Sequence, residues 1–124
     1  MKIIQLCPNL NQGGVERGII EISKILDNQK DIVNYVCSNG GQLVSELKDS
    51  KHYKLSIHKK NPINIVINSF KLAKYIKDNE IDIIHAHSRA PAWVGYLASK
   101  LTNTKYITTY HGIYSYHNIF KKWY

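Results

Sequence analysis

The chain has 124 residues, 44% hydrophobic and 21% charged, a balance that fits one globular domain with its own core and excludes a disordered chain or two full domains. Seventeen Lys and Arg against nine Asp and Glu give a formal charge of +8. That excess suits an acidic partner such as nucleic acid, an anionic membrane surface or a phosphorylated substrate, although lysines spread along solvated helix faces explain it equally well.

Strands and helices alternate along the chain. Ile3–Cys7 reads as a buried strand, followed by a helix with Val15, Ile19, Ile22 and Leu26 on one face. Ile32–Cys37 is a second strand closed by the turn-forming Ser38-Asn39-Gly40-Gly41, then a short helix over Gln42–Ser50 and a weaker strand over Tyr53–Ile57. Pro62 opens a longer helix striped with Val66, Phe70, Ala73 and Ile76. Ile81–His87 is the fourth strand, a helix with Pro91 early and Val94, Leu97, Ala98 and Leu101 on one face comes next, and Lys105–Tyr110 is the fifth strand. Helices between apolar strands predict an α/β fold, a Rossmann-like parallel sheet with helices on both faces and ligands at the strand C-termini. Tyr116–Tyr124 reads as the start of a further element, which either covers the sheet edge or marks a chain that stops inside a larger domain.

Cys7 and Cys37 each end an apolar run and are expected to be buried, reduced thiols. No stretch approaches the ~20 apolar residues of a membrane span, and Ile3–Leu6, cut off by Pro8, is too short for a secretory signal. The expected location is cytoplasmic, with room for peripheral contact with the inner face of a membrane.

The first strand runs through Pro8–Gln12 into Gly13-Gly14-Val15-Glu16-Arg17. Two adjacent glycines permit backbone angles closed to other residues and close ligand approach, and the helix they open offers N–H groups to a phosphate. A tight turn is the plainer reading. The dinucleotide fingerprint fails here, because the loop is not G-x-G-x-x-G and the second strand ends in Cys37-Ser38-Asn39 without an acid. A P-loop is also absent, since no Gly-Lys-Ser/Thr occurs.

Histidines gather at strand ends. His85 and His87 share one face of the fourth strand, and His111, followed by Gly112, closes the fifth. Such histidines can donate to a phosphate or hydroxyl, or carry a proton near neutral pH. For His85 a core position is the leading expectation; for His87 the two readings balance; for His111 the functional one leads. His85-Ala86-His87, completed by His111 or His117, also has metallohydrolase spacing, yet no carboxylate follows either strand end. Glu16 suits the helix dipole and could orient hydroxyls, Arg17 and Arg89 could meet a phosphate or carboxylate, and Trp93 with Tyr96 could wall an acceptor, with Trp93 expected to face the core. His58, beside Lys59 and Lys60, is expected at the surface.

Three segments together resemble the N-terminal domain of family 4 retaining glycosyltransferases: the strand-loop ending in Gly-Gly-Val-Glu-Arg, Asp82-Ile83-Ile84-His85-Ala86-His87-Ser88, and Thr108-Thr109-Tyr110-His111-Gly112. The resemblance spans residues 1–124 as one incomplete domain and implies the N-terminal half of a GT-B fold, two Rossmann-like domains with the active site between them. It implies that Gly13 and Gly14 approach the diphosphate of a nucleotide-sugar donor and that His111 is catalytic, at the transferred sugar. Glu16, Arg17, His87, Ser88 and Arg89 fall where such enzymes contact acceptor or sugar.

The implied activity is sugar transfer to a cell-surface polysaccharide, lipopolysaccharide or glycolipid acceptor, with no metal, no cofactor beyond the nucleotide-sugar co-substrate and no nucleic acid. Positive helix ends and basic residues would stabilise the leaving diphosphate. The family's nucleotide pocket and E-x7-E motif belong to a C-terminal domain not contained in these residues. The expectation is therefore a truncated or split product, inactive alone and working with a separate donor-domain polypeptide. The alternative is a non-catalytic anion-binding or interaction remnant, and a His-site metal-dependent hydrolase stands behind both.

Overall fold

A computed structural model describes residues 1–11, 13–47 and 51–109. The expectations placed on His111, Gly112, His117 and Tyr116–Tyr124 lie outside the described residues. Five strands, β1 (Lys2–Leu6), β2 (Val33–Ser38), β3 (Lys51–Lys54), β4 (Ile83–His87) and β5 (Lys105–Thr109), alternate with α1 (Gly14–Asp27), α2 (Pro62–Asn79) and α3 (Arg89–Thr102). A 3₁₀ turn spans Gln42–Glu46, where a short helix was expected. All strand pairings are parallel, in the order β3-β2-β1-β4-β5. This is the doubly wound, Rossmann-like arrangement expected from the alternation.

The period-2 geometry of the strands sorts side chains to two faces. Ile4, Leu6, Tyr35, Cys37, Ile84 and Ala86 pack under α2 and α3, against Leu72, Ala73, Ile76, Val94 and Ala98. On the other face Cys7 and Val36 pack with Ile19 and Ile20 of α1, joined by Leu10 and Leu43. Gly95 lets α3 lie close on the sheet, since a Cβ there would stand 2.9 Å from Leu6 Cδ1 and 3.0 Å from the Tyr106 ring. Both cysteines are free and buried, as expected.

The helix faces differ from their apolar patterns. In α1 the buried residues are Ile19, Ile20 and Ser23, and Ile22 faces solvent. Ser23 goes inside because it joins a buried polar layer: Asn34 Nδ2 donates to Ser23 Oγ at 2.9 Å, and Gln5 Nε2 donates to Asn34 Oδ1 at 3.1 Å. In α2, Asn68 and Ser69 are buried while Val66 and Phe70, two of the expected core residues, are exposed. Asn68 caps the Ser56 carbonyl and Ser69 bonds back to Ile65, which satisfies their polar atoms. Leu101 and Trp93 of α3 also face outward, against expectation. The stretch Tyr53–Ile57 is strand only as far as Lys54. Leu55 and Ile57 are nonetheless buried beneath α2.

Candidate functional site

In this strand order β1 and β4 are neighbours whose connections leave in opposite directions, β1 into α1 on one face and β4 into α3 on the other. Ligands of open α/β sheets bind outside the strand C-termini at such a switch point. Two helix N-termini frame it, at Gly13-Gly14 and at Ser88-Arg89.

Gly13 is the N-cap of α1 with φ −169°, ψ 164°, and no side chain caps this end. That is extended backbone open to any residue, so the expected special angles are not what the pair supplies. Among the described residues the glycines with positive φ are instead Gly40 and Gly41. What Gly13 supplies is space: a Cβ would lie 2.6 Å from Glu16 Oε2. The Glu16 carboxylate therefore folds back over the first turn of α1, where the helix N-terminus favours negative charge. Around Gly14 there is open space within 4 Å of a Cβ position. A ligand can thus come close to the backbone there.

The glycine loop is braced by the loop after β2. Asn39 N–H donates to the Pro8 carbonyl at 3.0 Å, Leu10 N–H to Gly40 at 2.9 Å, and Leu43 N–H to Leu10 at 2.8 Å. Asn39 Nδ2 adds a side-chain bond to Asn9 Oδ1. In the sequence Ser38–Gly41 reads only as a turn, and its adjacent glycines are the signal of the close backbone approach.

Arg17 donates to Glu46 Oε1 at 2.8 Å, and Lys24 approaches the same oxygen at 3.7 Å. The Arg17 bond holds the Glu46 carboxyl below its ordinary value and raises the guanidinium in return. Any ligand that recruits Arg17 must compete with that partner.

At the β4 end, Ser88 is the N-cap of α3 with φ +80°, an unfavourable angle for a residue with a side chain, and its hydroxyl caps nothing. Arg89 follows and is exposed. Pro91, third in the helix, has no N–H to offer, so the donors of this terminus are those of Arg89 and Ala90.

The two histidines reverse their expected ranking. His87 is 1% exposed and lies within the polar layer, its Nε2 3.2 Å from Gln5 Oε1. Because the Gln5 amide nitrogen serves Asn34, its oxygen accepts, and His87 Nε2 is the donor. His85 is half-buried, 2.6 Å from Thr109 Oγ1 through Nε2, with its ring 4.2 Å from that of His87. Among the described residues no group of three His, Cys, Asp or Glu is gathered to hold a metal. His58 is half-buried rather than a surface residue, with a buried Nδ1 that lacks a partner among the described residues.

The structure therefore brings Gly13, Gly14, Glu16 and Arg17 together on one side of the switch point and Ser88 and Arg89 on the other, with His87 beneath the edge. In open α/β sheets the crevice between two such strands is where a ligand is bound. The family model for Glycosyltransferase Family 4 matches residues 12–124, and the chain belongs to that family.

Among solved structures the chain is similar to a glycosyltransferase from Rickettsia africae, 46% identical with a TM-score of 0.82, over 99% of this chain and 33% of that one. It also resembles MurG of Acinetobacter baumannii, 15% identical with a TM-score of 0.69 over 94% of this chain and 38% of that one, a likeness of fold alone. A curated relative from Escherichia coli, UDP-Gal:alpha-D-GlcNAc-diphosphoundecaprenol alpha-1,3-galactosyltransferase, is 27% identical over 88% of this chain and 29% of its own length. The chain spans about a third of the length of the relatives it matches. Its fold is that of the N-terminal, Rossmann-like part of a GT-B glycosyltransferase.

Proposed function

We propose that this chain forms the acceptor-side half of a sugar-transfer cleft, passing a sugar from a nucleotide-sugar to a cell-envelope glycan or glycolipid acceptor when a donor domain completes the cleft. The observation that carries the reading is the meeting of two side-chain-uncapped helix N-termini, at Gly13-Gly14 and Ser88-Arg89, across a switch point in a chain of Glycosyltransferase Family 4. Uncapped N–H groups beside an open Gly14 suit the charge that develops on a leaving diphosphate, and they act without a metal.

In this reading Glu16, Arg17, Ser88 and Arg89 contact the acceptor, His87 supports that edge from within, and His111 meets the transferred sugar. The Escherichia coli relative's name supports a diphosphoprenol-linked sugar as the first acceptor to try and UDP-galactose as the first donor. The net charge of +8 suits a phosphate-bearing acceptor at an anionic membrane. Cytoplasmic action at the inner membrane face completes the proposal.

The test grafts residues 1–124 onto the remainder of the Rickettsia africae glycosyltransferase and follows transfer from a panel of labelled nucleotide-sugars to a diphosphoprenol-linked acceptor. Transfer is expected, and His111→Ala should lower it by about 10²-fold or more. A folded chimera that transfers none of the sugars overturns the proposal, and diphosphate binding without turnover would favour the non-catalytic remnant. Unchanged turnover in His111→Ala would remove His111 from the catalytic role.

A further inference from the structure

Four buried polar side chains stand in a file across the sheet: Ser23 on α1, Asn34 on β2, Gln5 on β1 and His87 at the end of β4. Asn34 Nδ2 lies 2.9 Å from Ser23 Oγ, Gln5 Nε2 lies 3.1 Å from Asn34 Oδ1, and His87 Nε2 lies 3.2 Å from Gln5 Oε1. A file built of amides has two possible directions, because exchanging oxygen and nitrogen in both amides reverses every donor and acceptor. Reversed, Gln5 would donate to His87 Nε2, and the ring proton would have to sit on Nδ1. The direction of the file therefore decides the tautomer of His87.

A further contact selects the direction. Gln5 Nε2 also approaches Ser23 Oγ, at 3.5 Å. With both amide nitrogens turned toward it, the Ser23 oxygen accepts twice, through its two lone pairs. With both amides reversed, two carbonyl oxygens would face a hydroxyl that carries a single proton. One contact would then set oxygen against oxygen inside a buried layer, where such mismatches are costly. The hydrogen bonds thus run one way, from His87 Nε2–H through Gln5 and Asn34 to Ser23. An amide at position 5 fixes this tautomer without adding charge. A carboxylate there would draw a second proton onto the ring. The titratable ring packed against His87 is His85, 4.2 Å away, and the positive end of α3 begins directly after His87, so both neighbours oppose a cation at this place.

We infer that Gln5 is a positioning residue: it holds His87 neutral, with the proton on Nε2, so that Nδ1 is a hydrogen-bond acceptor at the end of β4. Asn34 and Ser23 act one and two steps further back, by orienting the Gln5 amide. Through them α1, whose N-terminus lies at Gly13-Gly14, sets the place of a proton on the other side of the switch point. The part this plays in sugar transfer rests on the reading proposed above, in which His87 supports the acceptor edge; the tautomer itself does not.

The test is nuclear magnetic resonance of the 124-residue chain with nitrogen-labelled histidine rings, the His87 signals being assigned by their loss in His87→Gln. At neutral pH Nε2 should show the shift of a protonated ring nitrogen and Nδ1 that of an unprotonated one. A proton on Nδ1, or on both nitrogens, overturns the inference. Gln5→Glu keeps the shape of the side chain and should place protons on both nitrogens. Gln5→Met keeps its volume, removes the acceptor without burying an acid, and should divide His87 between its two tautomers. His87 signals unchanged in folded Gln5→Met overturn the inference as well. In the glycosyltransferase chimera, Gln5→Met should raise KM for the acceptor by about tenfold, the worth of one misplaced hydrogen bond. KM for the nucleotide-sugar should stay within about twofold. Equal losses for both substrates would mark general damage to the fold and overturn the positioning role. A chimera that transfers no sugar counts against the sugar-transfer reading alone, because the tautomer is read on the chain by itself.

Discussion

Gly41→Ala tests the brace that holds the glycine loop. Gly41 has φ +148°, and a Cβ there would stand 2.5 Å from both the carbonyl carbon and oxygen of Leu10 and 2.6 Å from Asn11 Oδ1. Normal carbon contact is about 3.5 Å or more, so the Leu10 carbonyl has to retreat by about 1 Å. That carbonyl accepts from Leu43 N–H at 2.8 Å, and the side chains of Leu10 and Leu43 are fully buried. An L-residue at this φ costs about 1–2 kcal/mol, the buried backbone bond about 1–3 kcal/mol, and loosened leucine packing about 1 kcal/mol. The expected loss is about 3–6 kcal/mol, a fall in Tm of roughly 12–23 °C for a chain of this size.

Gly40→Ala is the internal control. Its φ is +101°, but nothing lies within 4 Å of its Cβ position, so only the backbone term of about 1–2 kcal/mol remains. Urea denaturation followed by circular dichroism separates the two variants. If they lose the same stability to within about 0.5 kcal/mol, the argument from close approach to Leu10 is refuted. Because the displaced segment leads into Gly13-Gly14, Gly41→Ala should also weaken donor binding in the completed cleft.

The remaining predictions concern groups at the sheet. The Cys7 thiol is pushed up to about 12, first by burial and then by the negative charge of Glu16, and burial raises Cys37 as well. Both should resist alkylation at mildly alkaline pH and react once urea unfolds the chain; rapid reaction in the native state would contradict their enclosure. His52 is held below its ordinary value by burial and, secondarily, by Lys54. The folded state thus binds fewer protons than the unfolded one, so the His52 contribution is complete above the ordinary value of 6.5 and is lost as pH falls toward the lowered one. His52→Gln should flatten this part of the stability profile, and an unaltered slope between about pH 7 and pH 5 would exclude the assignment. Gly95→Val should cost about 1–3 kcal/mol in urea melts, because it drives branched carbon into Leu6, Ile84 and Tyr106. A neutral result would mean that α3 can lift off the sheet freely.

The inner strands β1, β2 and β4 were the most legible part of the sequence because they are largely buried and read as apolar runs, whereas β3 and β5, at the sheet edges, are more exposed. Helix phase was harder to read. Pattern reading assumes that apolar side chains point inward, and here a buried polar layer, Ser23 with Asn34 and Gln5, takes inward positions on α1. Asn68 and Ser69 do the same on α2, where each has a backbone carbonyl as partner. Except for Ser69, which bonds back to Ile65 on its own helix, those partners come from other strands and loops, so no local window discloses them. Trp93, expected to face the core, lines an outer groove between α2 and α3 instead. At the site, Gly13-Gly14 was legible in position but not in cause. The glycine with the demanding backbone, Gly41, lies 28 residues further along and is visible only once β1 and β2 are aligned.

The central pairing of the sheet has a consequence for synthesis. β1 joins β4 in the register Ile3↔Ile83 to Leu6↔Ala86, so the two middle strands come from segments some 80 residues apart. While the ribosome is still making α2, β1 has β2 on one side and nothing on the other. An apolar strand edge is then exposed for several seconds, the time needed to add those residues at ordinary elongation rates of about 5–20 per second. Nascent chains are open to wrong pairing during that interval. Slow decoding across residues 62–82 should therefore lower the folded yield without altering the stability of the finished protein.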